Sequence, residues 1–348
     1  MFHGKKIACI SDIHLGVHQD SQVWHEQHLK LAEWFKESLN SKGIKDVIIA
    51  GDIFHNRHEV GVSTLHVAKE FFNILSDFNI VAITGNHDCY YRDNSKVNSI
   101  KVLERDGMVV YDTLNTIRTN NKDIVFCPWG TRLDEIPKCD VVIGHFEISN
   151  FKMNMNHVCE DGWNSLNLLD KCKKVVTGHF HLRDERYYDN NKTILYLGSP
   201  LELDWSDRDT IKGYTILDTN DLSLTFVEND KSPKHVKLTI SDLQSGVYKA
   251  TSLRTLIPNN YVKLIVNVKF ADSNVDVLLV KLNSLKPTQI KVEYDLPLEC
   301  VDRDSVDDSK LVSIETIMKE YIDVLEVKVQ KEDVYRKCVE LYQQFQNI

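Results

Sequence analysis

No apolar run in these 348 residues approaches the roughly 20 needed to cross a bilayer, so no membrane partner is expected. Paired cysteines are missing too. Cys9, Cys89, Cys127, Cys139, Cys159, Cys172, Cys300 and Cys338 are scattered without a C-x-x-C spacing, which argues against a zinc ribbon or finger and suits reduced packing residues. There is no G-x-x-x-x-G-K-[ST] loop, which excludes an ATPase of the P-loop kind. Positive charge is in short supply: 42 Lys and Arg stand against 51 Asp and Glu, a net charge of −9. The chain therefore offers no global attraction to nucleic acid or acidic membranes, although bound divalent cations and local basic patches can dominate the field at a site. The opening "MFHGKKIACISD" runs straight into a strand pattern, so no signal peptide is expected and the expected location is the cytoplasm. Internal repeats and low-complexity tracts are absent as well.

What is present is ordinary globular material, 42% hydrophobic and 27% charged, long enough for one large domain plus smaller appendages. "KIACIS" at 6–11, "DVIIAG" at 46–51, "NIVAIT" at 79–84, "DVVIGH" at 140–145 and "KVVTGH" at 174–179 read as buried strands. Residues 22–40 and 62–77 carry Trp, Leu, Phe and Val at helical spacing between them, which predicts an α/β architecture. Further strands are expected over 194–228 as part of a core spanning 1–230. A capping unit is expected over 231–300, with strand, helix and strand across 262–296 and Ser273 or Asn274 as helix N-cap. The acidic stretch "VDRDSVDDSK" at 301–310 reads as a solvated linker to a helical tail. Apolar stripes at 311–325 and 334–345 mark that tail's two helices.

"VVTGHFHL", residues 175–182, sets two imidazoles one residue apart at the end of a strand. In extended chain, residues two apart point to the same side, so His179 and His181 can share one site. Four further motifs end strands in the same way: "DIH" (Asp12, His14), "GDIFH" (Asp52, His55), "GNHD" (Asn86, His87) and "GHFE" (His145, Glu147). Open α/β sheets place ligands beyond the carboxyl ends of their strands. Two Asp, one Asn and four His give a mix of hard oxygen and imidazole donors, suited to Mn, Fe or Zn rather than to Ca or Mg alone. Seven donors are too many for one tetrahedral ion and suit two ions sharing a carboxylate. Glycine stands before the ligand in four of the motifs, permitting sharp turns and close backbone approach. His18, His25, His28, His58, His66, His157 and His235 match no motif and read as surface or packing residues.

The set D-x-H, GD, GNH, GH and GHxH resembles the calcineurin-like metallophosphoesterases. With "SDIHLG", "YLGSP" and "KGY" it is similar, over residues 6–217, to the SbcD-type nucleases that process DNA double-strand breaks. In length the chain resembles the recombination endonuclease subunits of T-even-like phages, which would place it in a host cytoplasm. The resemblance implies two packed sheets flanked by helices, a small α+β cap and a C-terminal helical tail. It also implies Asp12, His14 and His181 on one metal ion, Asn86, His145 and His179 on the other, and Asp52 bridging both. His87 is implied as the group that protonates or stabilises the leaving oxygen, and His55 as a residue placing the DNA end. Manganese is the first expectation for the two ions, with Mg, Fe or Zn as alternatives.

The function implied is a metal-dependent DNA nuclease, an exonuclease on duplex ends and an endonuclease on single strands or hairpins, acting in break repair and recombination. The implied partners are DNA, a separate SbcC-like coiled-coil ATPase docked on the C-terminal helices, and a second copy of the chain. The alternatives are a phosphoesterase of the same superfold acting on a small or protein substrate, and a catalytically inert scaffold. The scaffold would be expected to lose ligands, and all seven are present. Lys96, Lys101, Arg105, Arg183 and Arg186 are candidate DNA contacts near the motif loops.

Overall fold

A computed structural model describes residues 2, 4–92, 94–155, 157–267, 275–295, 318–319, 321–322 and 330–346. Alternation within the first strand shows how the layers arise. In β1 (Lys6–Ile10), Ile7 and Cys9 face one way and Ala8 and Ile10 the other, and all four are buried. A strand apolar on both faces must be covered on both.

β1 is the hub of a six-stranded sheet. It pairs in parallel with β2 (Asp46–Ala50), which pairs with β3 (Asn79–Ile83), and that with β4 (Met108–Tyr111). On its other side lie the antiparallel β11 (Gly213–Asp218) and then β12 (Leu224–Glu228). A second six-stranded sheet runs in the order β5 (Asn115–Thr119), β6 (Lys122–Cys127), β7 (Val141–His145), β8 (Lys174–Gly178), β10 (Lys192–Tyr196), β9 (Asp184–Tyr188). Its four central strands are parallel and its two edges antiparallel. Ile7, Cys9, Ile48, Val81 and Ile83 from the first sheet share one apolar cluster with Ile124, Phe126, Ile143, Val176 and Leu195 from the second. The two sheets are thus packed face to face.

Helices Gln22–Ser41 and Val62–Ile74 cover the outer face of the first sheet. Leu31, Phe35 and Leu39 from one and Phe71 and Phe72 from the other cluster with Ala8, Ile10, Val47 and Ile49. Each such large apolar side chain contributes about 1.5–3 kcal/mol by leaving water. Leu168 and Leu169, from helix Ser165–Leu169, pack with Val142, Val175 and Ile194 on the outer face of the second sheet. The sandwich flanked by helices is the α/β fold expected from the sequence.

A third, all-parallel sheet orders β13 (His235–Thr239), β14 (Tyr261–Asn267) and β15 (Gln289–Asp295), and Leu238, Leu264 and Leu282 of helix Val275–Asn283 share its own apolar cluster. The strand, helix and strand expected over 262–296 are these, with β13 added. Residues Met1–Asp295 form one compact unit and Leu296–Ile348 a second. In the second, the helix expected at 334–345 is found as Lys331–Gln346. The N-cap candidates Ser273 and Asn274, the acidic stretch 301–310 and most of the helix expected at 311–325 lie outside the described residues.

The cysteines pack as expected: Cys9, Cys89, Cys127, Cys159 and Cys172 are buried, and all seven described ones are free. The motif-free histidines also behave as expected. His28 is buried with its ring nitrogens 2.8 Å from the Trp24 and Ile13 carbonyls, and His25 meets Thr64 at 3.0 Å. His235 is buried among aromatic rings, whereas His18, His58, His66 and His157 are exposed. No described helix is long and apolar enough to cross a membrane.

Candidate metal centre

Every motif leaves a strand of the sandwich at its carboxyl end. Asp12 and His14 follow β1, Asp52 and His55 follow β2, Asn86 and His87 follow β3, His145 ends β7, and His179 and His181 follow β8. The β1 and β2 loops carry on hydrogen bonding beyond their strands: Asp12 N–H donates to Gly51 O (3.1 Å), His14 N–H to Asp52 O (3.1 Å) and Leu15 N–H to Ile53 O (2.8 Å). Gly51 turns at φ 92°, and a Cβ there would strike the His145 ring. At Gly85 a Cβ would strike the Asp52 carboxylate. Both positions need glycine so that backbone can pass beneath the site.

The side chains converge. His14 Nε2 and His181 Nε2 lie 2.9 Å apart, and Asp12 joins them, with one donor atom from each of the three within 4.8 Å of the others. Nearby, Asn86 Oδ1 sits 2.9 Å from both His145 Nε2 and His179 Nδ1. Asp52 lies between the groups, its Oδ2 3.7 Å from His14 Nε2 and 3.4 Å from His145 Nε2. Two imidazole nitrogens 2.9 Å apart repel unless a proton or a cation lies between their lone pairs, so this donor set fits divalent cations.

His87 and His55 stand beside these groups. Their rings stack at 5.6 Å, and His87 lies edge-on to His14 at 4.9 Å. His87 Nδ1 donates to the His55 carbonyl at 2.6 Å, which fixes the ring and leaves Nε2 for other work. His55 Nδ1 is also 3.4 Å from His14 Nδ1, so His14, His55 and His87 form a third convergent set.

Charge within the site is finely divided. Burial, reinforced by His181, holds the His14 imidazole well below its usual range, which keeps it a neutral donor. Burial opposes a charge on His145 as well, but Asp52 beside it pushes that ring up to about 9. The Asp52 carboxylate is in turn held below the usual carboxylate range by His145 and His14, against its own burial. Burial and the neighbouring His87 lower His55.

Several supporting residues carried no signal that the motif reading used. Asp207, on the turn Trp205–Asp207, places Oδ2 3.7 Å from His181 Nδ1. Behind it the ammonium of Lys212, wholly buried, donates to Asp207 Oδ1 (2.9 Å), Ser199 Oγ (2.7 Å) and His181 O (2.9 Å). Lys212 opens "KGY", and its burial would have been the clue; Asp207 lies in no motif. Asp88, in "GNHD", accepts from the backbone of Ile53, Phe54 and Gly85 and so ties the β2 loop to the β3 loop. Glu147, in "GHFE", reaches His179 Nε2 at 3.2 Å, and the Trp129 ring lies 5.3 Å from that of His179.

Four of the five cations proposed for DNA are already engaged. Lys101 pairs with Glu104 at 3.1 Å, Arg183 with Glu185 at 2.5 Å and Arg186 with Asp184 at 2.7 Å, while Arg105 donates to the Phe72 carbonyl. Lys96 is exposed, with no ion pair among the described residues.

The sequence pattern of calcineurin-like phosphoesterases matches residues 5–266. The chain is 25% identical over 342 residues to exonuclease subunit 1 of Enterobacteria phage T4, covering 92% of this chain and 93% of that protein. It is 25% identical over 264 residues to the SbcD component of the SbcCD nuclease of Staphylococcus epidermidis, covering 64% of this chain and 69% of that one. Among solved structures it is similar to a dimetal phosphatase from Danio rerio, at 9% identity and a TM-score of 0.36, over 61% of this chain and 91% of that one. With five motifs gathered on one sandwich and the family pattern running through all of them, the chain belongs to the calcineurin-like phosphoesterases and is a metal-dependent hydrolase.

Proposed function

We propose that the protein is a DNA nuclease, hydrolysing phosphodiesters at duplex ends and in single-stranded or hairpin DNA during break processing and recombination. The observation that carries the reading is the convergence of all seven candidate ligands with His87 and His55 beside them. Its likeness over nearly its whole length to a phage exonuclease subunit supports a phosphodiester rather than a monoester substrate.

In this reading Asp12, His14 and His181 would hold one divalent ion, Asn86, His145 and His179 the other, with Asp52 shared. Such a pair supplies an activated water and Lewis acidity toward the scissile phosphate. The mixed oxygen and imidazole donors suit Mn, Fe or Zn, and of these Mn is the first expectation, with Mg as a further alternative. His87 would move the proton. Its Nδ1–H is held by the His55 carbonyl, which fixes the ring and leaves Nε2 to donate a proton to the departing oxygen. His55, kept neutral by burial and by His87, would sit against the DNA end without competing for that proton.

The division into a nuclease core (1–230), a cap (231–300) and a partner-binding tail (301–348) belongs to the same proposal. So do a coiled-coil ATPase partner on the tail, a dimer of this chain and a cytoplasmic location, that of the host cell if the gene is phage-borne. The test incubates the purified full chain with end-labelled duplex and single-stranded DNA, and separately with a phosphomonoester, under Mn²⁺, Mg²⁺ or chelator. DNA cleavage that needs a metal is expected. A monoester turned over while DNA stays intact would refute the reading and favour a small or protein substrate.

A further inference from the structure

A neutral imidazole carries one N–H and one lone pair, so the partner of one ring nitrogen decides what the other can do. In His145 the partner is backbone: Nδ1 sits 2.8 Å from the Ala50 carbonyl, to which it can only donate, and Nε2 is turned to Asn86 Oδ1 at 2.9 Å. His181 turns Nε2 to His14 and Nδ1 to Asp207. His179 is reversed. Its Nδ1 lies 2.9 Å from Asn86 Oδ1, among the other candidate ligands, and its Nε2 lies 3.2 Å from Glu147 Oε1.

A carboxylate accepts and does not donate, which puts the His179 proton on Nε2 and its lone pair on Nδ1. That lone pair and the one on His145 Nε2 then point at the same amide oxygen, an arrangement that a cation relieves. Glu147 is well placed to impose this. It follows His145 by two residues at the end of β7, and its carbonyl accepts from Trp163 N–H at 2.9 Å. The next residue, Ile148, donates its N–H to the buried Tyr196 hydroxyl at 3.0 Å. Beside the His179 ring stands Trp129, whose Nε1–H donates to the Arg92 carbonyl at 2.8 Å. Glu147 itself joins none of the convergent donor sets among the described residues, so it touches the ligand rather than the place of the ion.

We propose that Glu147 is a positioning residue for the second ion: it fixes the His179 proton on Nε2 and makes His179 bind through Nδ1, whereas His145 and His181 bind through Nε2. The proposal rests on the ligand assignment made above, in which His179 holds an ion. Carboxylates in this place orient a histidine ligand and raise its basicity. Glu147 differs from Asp207 in one useful respect. Its side chain is 48% exposed, against 4% for Asp207, so its removal strands no buried charge.

The test measures Mn²⁺ binding to the full chain by titration calorimetry, without turnover. Glu147→Ala should weaken one site about 10–100-fold and leave the other site, and the urea midpoint of the metal-free chain, unchanged. Glu147→Gln keeps an oxygen that can accept from Nε2–H and should restore most of that affinity. His179→Ala should weaken the same site, and adding Glu147→Ala to it should cost nothing further, because a positioning residue acts only through its ligand. NMR of isotope-labelled histidine in the unaltered Zn²⁺-loaded chain should find the His179 proton on Nε2, and this decides the matter if Glu147→Ala does not fold. Unchanged affinity in Glu147→Ala, no recovery in Glu147→Gln, a further loss in the double variant or a proton on Nδ1 would overturn the proposal. A weakened site in His179→Ala beside an unchanged one in Glu147→Ala would refute the proposal alone. Full affinity at both sites in His179→Ala would refute the ligand assignment, and the proposal with it.

Discussion

Asp207→Asn is the most informative single change, because it separates the orientation of a ligand from the ligand itself. Asp207 touches no candidate ion; it stands 3.7 Å from His181 Nδ1 and holds the wholly buried Lys212 ammonium at 2.9 Å. His181 and Lys212 keep its carboxyl at about 2 in spite of its burial, so it is charged at neutral pH. Two separate losses follow. Removing a carboxylate behind a metal-ligating histidine typically lowers metal affinity about 10–100-fold, or about 1.4–2.8 kcal/mol. Breaking a buried pair strands the surviving charge, here Lys212, and costs about 3–5 kcal/mol of stability. The double change Asp207→Asn with Lys212→Met removes the stranded charge, and Ser199 N–H still covers the His181 carbonyl at 3.1 Å. Urea unfolding of the metal-free chain should therefore show a large loss in the single variant and a partial recovery in the double. Titration calorimetry with Mn²⁺ should show one weakened site in both. Wild-type affinity at both sites in the double variant would refute a positioning role for Asp207, and unchanged stability in the single variant would refute the stranded charge.

Other outcomes follow from the same geometry. Asp52→Asn removes the one carboxylate that lies between the two groups, so elemental analysis should show loss of bound metal together with loss of cleavage. His87→Ala should keep both ions and lower turnover roughly 10²–10⁴-fold, measured on a phosphodiester; loss of metal would make His87 a ligand. Gly85→Ala would drive a methyl group into the Asp52 carboxylate, so metal titration should show both sites weakened, and unaltered binding would show that the loops can part. A chain stopped after Lys310 should keep metal binding and Mn²⁺-dependent cleavage but fail to co-purify with the ATPase partner; an intact complex would make the tail merely structural.

The sandwich was legible in the sequence at most of its doubly buried strands, though β6, with Ile124, Val125, Phe126 and Cys127 all buried, was not among those expected. "KIACI", "DVIIA" and "NIVAI" are nearly continuous apolar runs because sheet and helices cover them from both sides. Of the edge strands, β12 fell within the strands expected over 194–228, but β4, β5 and β9 were not foreseen. β5 (NTIRT) and β9 (DERYY) are half in water, and their side chains carry neither a run nor a clean alternation. The candidate site was legible because its residue types are unusual at strand ends. Asp207 was not, since one carboxylate in "DWSDRD" looks like any other until the chain folds Lys212 against it. The candidate DNA cations show a different blind spot: a positive charge in a loop says nothing about the carboxylate two or three residues away that pairs with it, as Glu185 does with Arg183.

What sequence conceals most thoroughly is the backbone at the site. Asp12, His14, Asp52 and His179 all have positive φ, at 56°, 53°, 53° and 97°. An L-residue in the left-handed region is disfavoured by about 1–2 kcal/mol, and only Asp and Asn offset part of that with their short polar side chains. Four such residues among seven candidate ligands need restraint from outside themselves. The loops supply it mutually: Asp12 and His14 donate to carbonyls of the β2 loop, the Asp52 carboxylate accepts from His87 N–H at 2.9 Å, and the Asp12 carboxylate accepts from His179 N–H at 3.1 Å. The carboxylates that would face the ions thus also hold the peptides that aim the neighbouring imidazoles. Donors whose peptides are fixed in this way need little rearrangement to close on an ion, and the strain is confined to the few turns where the chain must reverse beneath the site.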